Sequence, residues 1–172
     1  RLLDSVTATT LRSVYFVSSD TGHIVGDDGI VLSTSDGGQS WNSQPTWSSL
    51  GLAYVTFTTP DTGFVIGAGG AMYRTVNGGK DWQYRRTGIS NLVSSVYFAT
   101  PTIGWAVGGG GAIMKTMDGG ITWGSKACTT TTTLRHIFLM DSSLIFIVGD
   151  GGTLLRSSDG GESWEPLNMI ST

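Results

Sequence analysis

Short apolar runs separated by glycine-rich turns dominate the hydrophobic pattern of this chain. Residues 14–16 alternate like a half-buried strand. The next run is His23-Ile24-Val25, and its second copy, residues 64–66, is apolar at successive positions, as in a strand covered on both faces. A third run at 30–32 follows a glycine-rich tip, and a fourth begins at Trp41. Because no segment has an apolar period near 3.6 residues, the pattern predicts four antiparallel strands and almost no helix.

This four-strand pattern occurs four times at an interval of 41 residues, and a tryptophan marks each copy. The four tryptophans are Trp41, Trp82, Trp123 and Trp164. Repetition of four-stranded units at a fixed interval is typical of β-propeller blades. We therefore predict an all-β, propeller-type array of four-stranded antiparallel blades at about residues 11–51, 52–92, 93–133 and 134–172. Residues 1–10 are predicted to be the tail of a preceding blade or a closing strand.

A turn of fixed composition precedes each tryptophan: a hydroxyl residue, then an acid or amide two positions later, then two glycines. The acid can accept backbone N–H bonds, the hydroxyl can brace it, and the tryptophan ring can fold under the turn. We expect a structural role for Thr34, Asp36, Trp41, Thr75, Asn77, Trp82, Thr116, Asp118, Trp123, Ser157, Asp159 and Trp164. Since Asn77 keeps only one acceptor oxygen, we expect its turn to be weaker but not lost.

The turn resembles the Asp-box, or BNR repeat, of sialidases and secreted glycosidases. Residues 104–123, which read GWAVGGGGAIMKTMDGGITW, are most similar to the photosystem II stability and assembly factors. The resemblance covers all four repeats and implies a non-enzymatic β-propeller scaffold that binds a protein partner in an extracytoplasmic compartment, that is, the periplasm, the thylakoid lumen or the cell exterior. The alternative is a carbohydrate-binding or accessory module of a secreted glycosidase, which the unrepeated linker residue Trp47 favours.

The resembled family has seven blades, so we expect this array to be part of a larger ring. Further blades or a second copy of the chain would complete that ring. A closed ring of four blades is the alternative.

Composition excludes several classes of function. A net charge of −3 does not favour nucleic acid, and no apolar run is long enough to span a membrane. The two histidines, His23 and His136, lack the spacing of metal ligands with each other or with Cys128, so no metal or cofactor is expected. The only two glutamates, Glu162 and Glu165, lie beside the last tryptophan, and we predict no catalytic residues.

Arginines provide the candidate partner-binding residues, because a planar guanidinium suits carboxylates on a protein partner. In an up-and-down blade, the linkers and the glycine-rich tips share one face, and the Asp-boxes lie on the other. The candidates on the linker and tip face are Arg12, Arg85, Arg86 and Arg135. The alternative is ordinary solvated charge that nearby aspartates neutralise.

Overall fold

The computed structural model describes residues 7–45 and 48–167, and this part of the chain forms four separate sheets of four strands. The first blade has strands β1 (Leu11–Phe16), β2 (Gly22–Gly26), β3 (Val31–Thr34) and β4 (Asn42–Ser43). The second has β5 (Leu52–Phe57), β6 (Gly63–Gly67), β7 (Met72–Thr75) and β8 (Gln83–Tyr84). The third has β9 (Val93–Phe98), β10 (Gly104–Gly108), β11 (Ile113–Thr116) and β12 (Gly124–Lys126). The fourth has β13 (Leu134–Leu139), β14 (Ile145–Gly149), β15 (Leu154–Ser157) and β16 (Glu165–Pro166).

Within every blade the strands pair antiparallel in chain order, which confirms the predicted all-β array of four-stranded units. The fourth strand of each blade begins one residue after the repeated tryptophan and not at it, because the tryptophan itself closes the preceding turn. Residues 1–6 of the predicted preceding tail, and Trp47, lie outside the described residues.

A glycine-rich tip joins the second and third strands of each blade. In the first blade Asp28 and Gly29 have φ angles of 55° and 71°, and the N–H of Ile30 donates to the carbonyl of Asp27 at 3.1 Å. Two successive residues with positive φ form a turn of type I′, as the glycine pattern predicts. The N–H of Asp27 turns away from the hairpin and donates to the carbonyl of Thr10 at 2.9 Å, which ties the tip to the segment before β1.

The linkers and the tips share one face of the array, as predicted. The N–H of Gly70 in the second tip donates to the carbonyl of Asn91 in the following linker. On the opposite face, the N–H of Gly37 in the first Asp-box donates to the carbonyl of Asp20, in the turn between β1 and β2, at 2.9 Å. The Asp-boxes therefore lie at the end of each blade that is opposite the linkers.

Apolar side chains pack between successive blades. Phe64, Val65 and Ile66 of β6 are all completely buried, because Val65 faces the first blade and its two neighbours face the third. This arrangement explains why the second strand is apolar at successive positions. The packing joins first to second, second to third and third to fourth blade.

The two end blades each have one uncovered face. Val14 on β1 is 57% exposed, whereas the equivalent Val55 is buried against the first blade. Val148 on β14 is 46% exposed, whereas the equivalent Val107 is buried against the fourth blade. In the described residues no packing of comparable extent joins the fourth blade to the first, so the four blades form an open arc.

Burial of the repeated tryptophans follows this arrangement only in part. Trp82 and Trp164 are buried, and Trp41 and Trp123 are partly buried, so the four rings are not equally covered. Trp82 meets the ring of His23, from the preceding blade, with the ring centroids 6.1 Å apart. Trp41 belongs to the first blade, which has no preceding blade in the described residues, and packs edge-on against Phe16 of its own blade.

The difference in burial predicts a difference in stability. We expect Trp82→Ala to lower the free energy of unfolding by about 3–5 kcal/mol, because it removes a buried ring and leaves a cavity. Trp41→Ala should cost no more than about half as much, since part of its ring is already in contact with water. Denaturant unfolding followed by circular dichroism measures both losses. A larger loss for Trp41→Ala would contradict the role of interblade packing.

Candidate partner-binding surface

Hydrogen bonds between its own residues close the first Asp-box. The hydroxyl of Thr34 donates to Asp36 Oδ1 at 2.7 Å and accepts the N–H of Gly38 at 3.0 Å. Asp36 also accepts the hydroxyl of Ser40 at 2.6 Å and its N–H at 2.9 Å. These bonds, chiefly the one from the Ser40 hydroxyl, stabilise the charged carboxylate and lower the pKa of Asp36 to about 2.

The third and fourth boxes repeat this geometry. Asp118 accepts the hydroxyls of Thr116 at 2.8 Å and Thr122 at 2.6 Å, and the Thr122 hydroxyl is the main reason that the pKa of Asp118 falls to about 2. Asp159 accepts the hydroxyl of Ser157 at 2.7 Å and also that of Ser163, and its pKa is lowered for the same reason. Each of these carboxylates therefore has its acceptor oxygens occupied within its own turn.

The second Asp-box keeps its hydrogen bonds although its acid and its donor have exchanged positions. Asn77 Oδ1 accepts the hydroxyl of Thr75 at 2.9 Å and the N–H of Asp81 at 3.0 Å, while Asn77 Nδ2 donates to Asp81 Oδ2 at 2.8 Å. The acid has thus moved to the position where the other boxes have serine or threonine. The acidic residue before Trp82 was the sequence signal for this compensation.

The exchange predicts coupling between Asn77 and Asp81. Asn77→Asp alone replaces the donating amide with a second carboxylate, so we expect a loss of about 1 kcal/mol in the free energy of unfolding. Asn77→Asp combined with Asp81→Ser recreates the first box, and most of the loss should be recovered. Thermal unfolding of the wild type, both single variants and the double variant measures this coupling. Purely additive effects would contradict it.

His23 takes the position at which the second strand of the other blades carries an aromatic residue. Its ring is 2% exposed, stacks on Phe57 at 5.1 Å between centroids, and lies against Gly79 of the next Asp-box. Burial lowers the pKa of His23, and the neighbouring backbone at Gly78 opposes this shift. The prediction that this histidine is a packed ring and not a ligand is therefore consistent with its surroundings.

The lowered pKa makes stability dependent on pH. The native state holds His23 neutral, and the unfolded chain takes up a proton near pH 6.5, so the protein should lose stability as the pH falls below about 6.5. The slope from this residue is at most about 1.4 kcal/mol per pH unit. His23→Phe should remove it. Unfolding free energies of both chains between about pH 7.5 and 5 test this, and parallel curves would contradict it.

Two of the predicted binding arginines are paired within their own blades. Arg12 and Arg135 lie at register shifts in β1 and β13. Arg12 binds Asp27 through two bonds of 2.7 and 2.9 Å, and Arg135 binds Asp150 through two bonds of 2.7 Å. Each acid lies on the tip of the same blade, so the positive charge of both arginines is balanced locally.

The other two predicted arginines follow β8 in the second blade. Arg86 is exposed. The guanidinium of Arg85 turns back along β8 and donates to Gln83 Oε1 at 2.7 Å. Gln83 is the register partner of Arg74 on β7, so the bond from Arg85 to Gln83 brings the two guanidinium groups to the same part of the second blade. The structure therefore does not bring all four candidates together, because Arg12 and Arg135 lie on the end blades and Arg85 and Arg86 lie on the second. It adds Arg74, which lies in the same blade as Arg85.

A family model described as the photosystem II assembly factor YCF48 matches residues 87–171, which contain the third and fourth repeats. YCF48 bound to a D1 peptide is 18% identical to the chain, with a TM-score of 0.60, over 94% of this chain and 70% of that one. YCF48 from Cyanidioschyzon merolae is also 18% identical, with a TM-score of 0.61, over 98% of this chain and 88% of that one. The third and fourth repeats of this chain therefore match the YCF48 family model, and the four-blade array has the fold of YCF48.

The array is also similar in fold to two GH74 enzymes. An ancestral GH74 enzyme is 14% identical, with a TM-score of 0.76, over 95% of this chain. The GH74 enzyme of Niastella koreensis is 16% identical, with a TM-score of 0.63, over 92% of this chain. The chain spans only 24% of either enzyme, so this similarity concerns the blades and not the enzymes as a whole. No curated protein sequence matches the chain.

Two further observations bear on the candidate site of this chain. In residues 7–45 and 48–167, no group of three histidine, cysteine or acidic side chains is placed to hold a metal ion. The same residues contain no helix that is long and apolar enough to cross a membrane.

Proposed function

We propose that this chain is a non-enzymatic scaffold that binds an acidic segment of a protein partner through its second blade, as an assembly factor. The proposal rests on where the basic residues without an ion pair lie. Five basic residues outside the second blade each form an ion pair: Arg12, Lys115, Lys126, Arg135 and Arg156. Four in the second blade form no ion pair with any described residue: Arg74, Lys80, Arg85 and Arg86.

The charges of the four repeats differ in the same way. The second repeat, residues 52–92, has four basic and two acidic residues, whereas the first has one basic and four acidic residues. The fourth has two basic and five acidic residues. A chain with a negative net charge thus has a positive region in its middle, which would orient an acidic partner toward the second blade.

The acidic residues support binding in preference to catalysis. Glycoside hydrolysis needs two carboxyl groups that face each other across the bond to be cleaved. Asp36, Asp118 and Asp159 are held in their turns, and Glu162 is held by two lysines. The YCF48 structure with a bound D1 peptide supports a peptide partner of that kind for this chain. An extracytoplasmic location follows from the same proposal.

Carbohydrate binding is the second candidate, and the fold similarity to a GH74 enzyme favours it. Trp47, the aromatic residue that the sequence offers for this role, lies outside the described residues. A glycan array separates the two candidates, because the scaffold proposal expects no glycan to be retained.

Charge-neutral substitutions test the scaffold proposal. We expect the D1 peptide of the solved YCF48 complex to bind the wild type and to bind Arg85→Gln with Arg86→Gln about tenfold more weakly, because two charged donors are lost. Arg135→Gln is the matched control, since Asp150 already engages that arginine, and it should bind within about twofold of the wild type. Isothermal titration calorimetry with a scrambled peptide as the negative probe measures these affinities. Wild-type affinity in the double variant would contradict the assignment to the second blade.

A further inference from the structure

Two lysines of the third blade enclose an acid from the fourth. Lys115 on β11 donates to the carbonyl of Gly160 at 2.8 Å and to Glu162 Oε1 at 2.7 Å. Lys126, at the end of β12, reaches the other oxygen, Glu162 Oε2, at 2.5 Å. The Asp-box of the fourth blade thus supplies its own carboxylate to a pair of cations on the preceding blade.

The equivalent position one blade earlier has the two cations but no counterpart of Glu162. Arg74 lies 41 residues before Lys115, and Arg85 lies 41 residues before Lys126. Arg74 Nε donates to the carbonyl of Gly119 at 2.7 Å, which repeats the bond from Lys115 to Gly160. The residue equivalent to Glu162 is Ile121, and its side chain is 52% exposed.

The two arginines at this position are short of partners. The terminal nitrogens of Arg85 donate to Gln83 Oε1 at 2.7 Å and to the carbonyl of Tyr84 at 3.5 Å, but its Nε is buried without a hydrogen-bond partner in the described residues. The only bond of Arg74 there is the one from Nε to Gly119, which leaves its two terminal nitrogens free to donate. Burial is the main reason that the pKa of Arg74 is lowered; the positive charge of Arg85 lowers it further, and the charge of Asp118 opposes this shift.

We propose that Arg74 and Arg85 form a binding site for a carboxylate of the protein partner, in the position that Glu162 occupies one blade later. We call this pair the arginine cradle. The proposal deepens the proposed function, on which it rests, by naming the chemical group that is recognised. Two guanidinium groups offer paired N–H donors that match the two oxygens of a carboxylate. Exposed Ile121 supplies an apolar contact beside that carboxylate.

Small carboxylates can test the cradle independently of any partner. Spectra of the arginine Nε–Hε groups of the whole chain, labelled with nitrogen-15, would be recorded during titration with N-acetylglutamate α-amide. We expect saturable shifts of the Arg74 and Arg85 signals and none in Arg12 or Arg135, which already hold a carboxylate. N-acetylglutamine amide, the neutral isostere, should leave all four unchanged. N-acetylglycine carries the carboxylate of a chain end, and comparing its affinity distinguishes a terminal from a side-chain carboxylate.

Ile121→Glu provides the matched variant, because it places in the cradle the acid that the fourth blade already has. We expect this variant to abolish the titration shifts and to raise the melting temperature, since it relieves the repulsion between the arginines. Glu162→Ile should have the opposite effect and create a new carboxylate site between Lys115 and Lys126.

Shifts that persist in Ile121→Glu, or equal shifts with the neutral isostere, would overturn the cradle. If the D1 peptide binds the wild type while the small carboxylates do not shift the arginines, the scaffold stands and the cradle is wrong. If the small carboxylates bind and the peptide does not, the cradle stands and that choice of partner is wrong.

Discussion

A glycine of each later Asp-box lies against an aromatic ring of the preceding blade, and the packing of blade on blade depends on this contact. Gly79 meets His23, Gly120 meets Phe64, and a Cβ atom at either glycine would lie within 3 Å of the ring. Both glycines also have φ near +80°, which disfavours any L side chain. The same turn therefore closes its own hairpin and covers its neighbour, which explains why one short motif is repeated so strictly.

The repeat made most of this fold predictable. Strand number, antiparallel order and the separation of tips from Asp-boxes follow from the 41-residue interval and the turn residues alone. The side-chain contacts between blades could not be predicted, because aligning the repeats shows which positions are equivalent but not which of them are in contact. The half-buried state of Trp41 depends on the uncovered face of the first blade. The return of Arg85 toward Arg74 depends on a side-chain path along β8 that no periodicity encodes.

The binding site is proposed from departures from the repeat and not from the repeat itself. The Asp-box acids, which recur in three of the four blades, are occupied by bonds inside their own blade. Residues that differ between equivalent positions, such as Ile121 and Glu162, change what the surface offers to a partner while leaving the backbone the same. Asn77 with Asp81 is a departure of another kind, since the two changes compensate each other and leave the turn intact.

The open arc has a consequence for how this array comes apart. In a linear series of units that contact only their neighbours, an end unit gives up one interface when it opens, and an inner unit gives up two. Where no further blade covers them, the first and fourth blades open at the lowest free energy, and the second and third retain their structure longest. The positive second blade belongs to this protected middle, so fraying of the ends would leave the cationic surface in place.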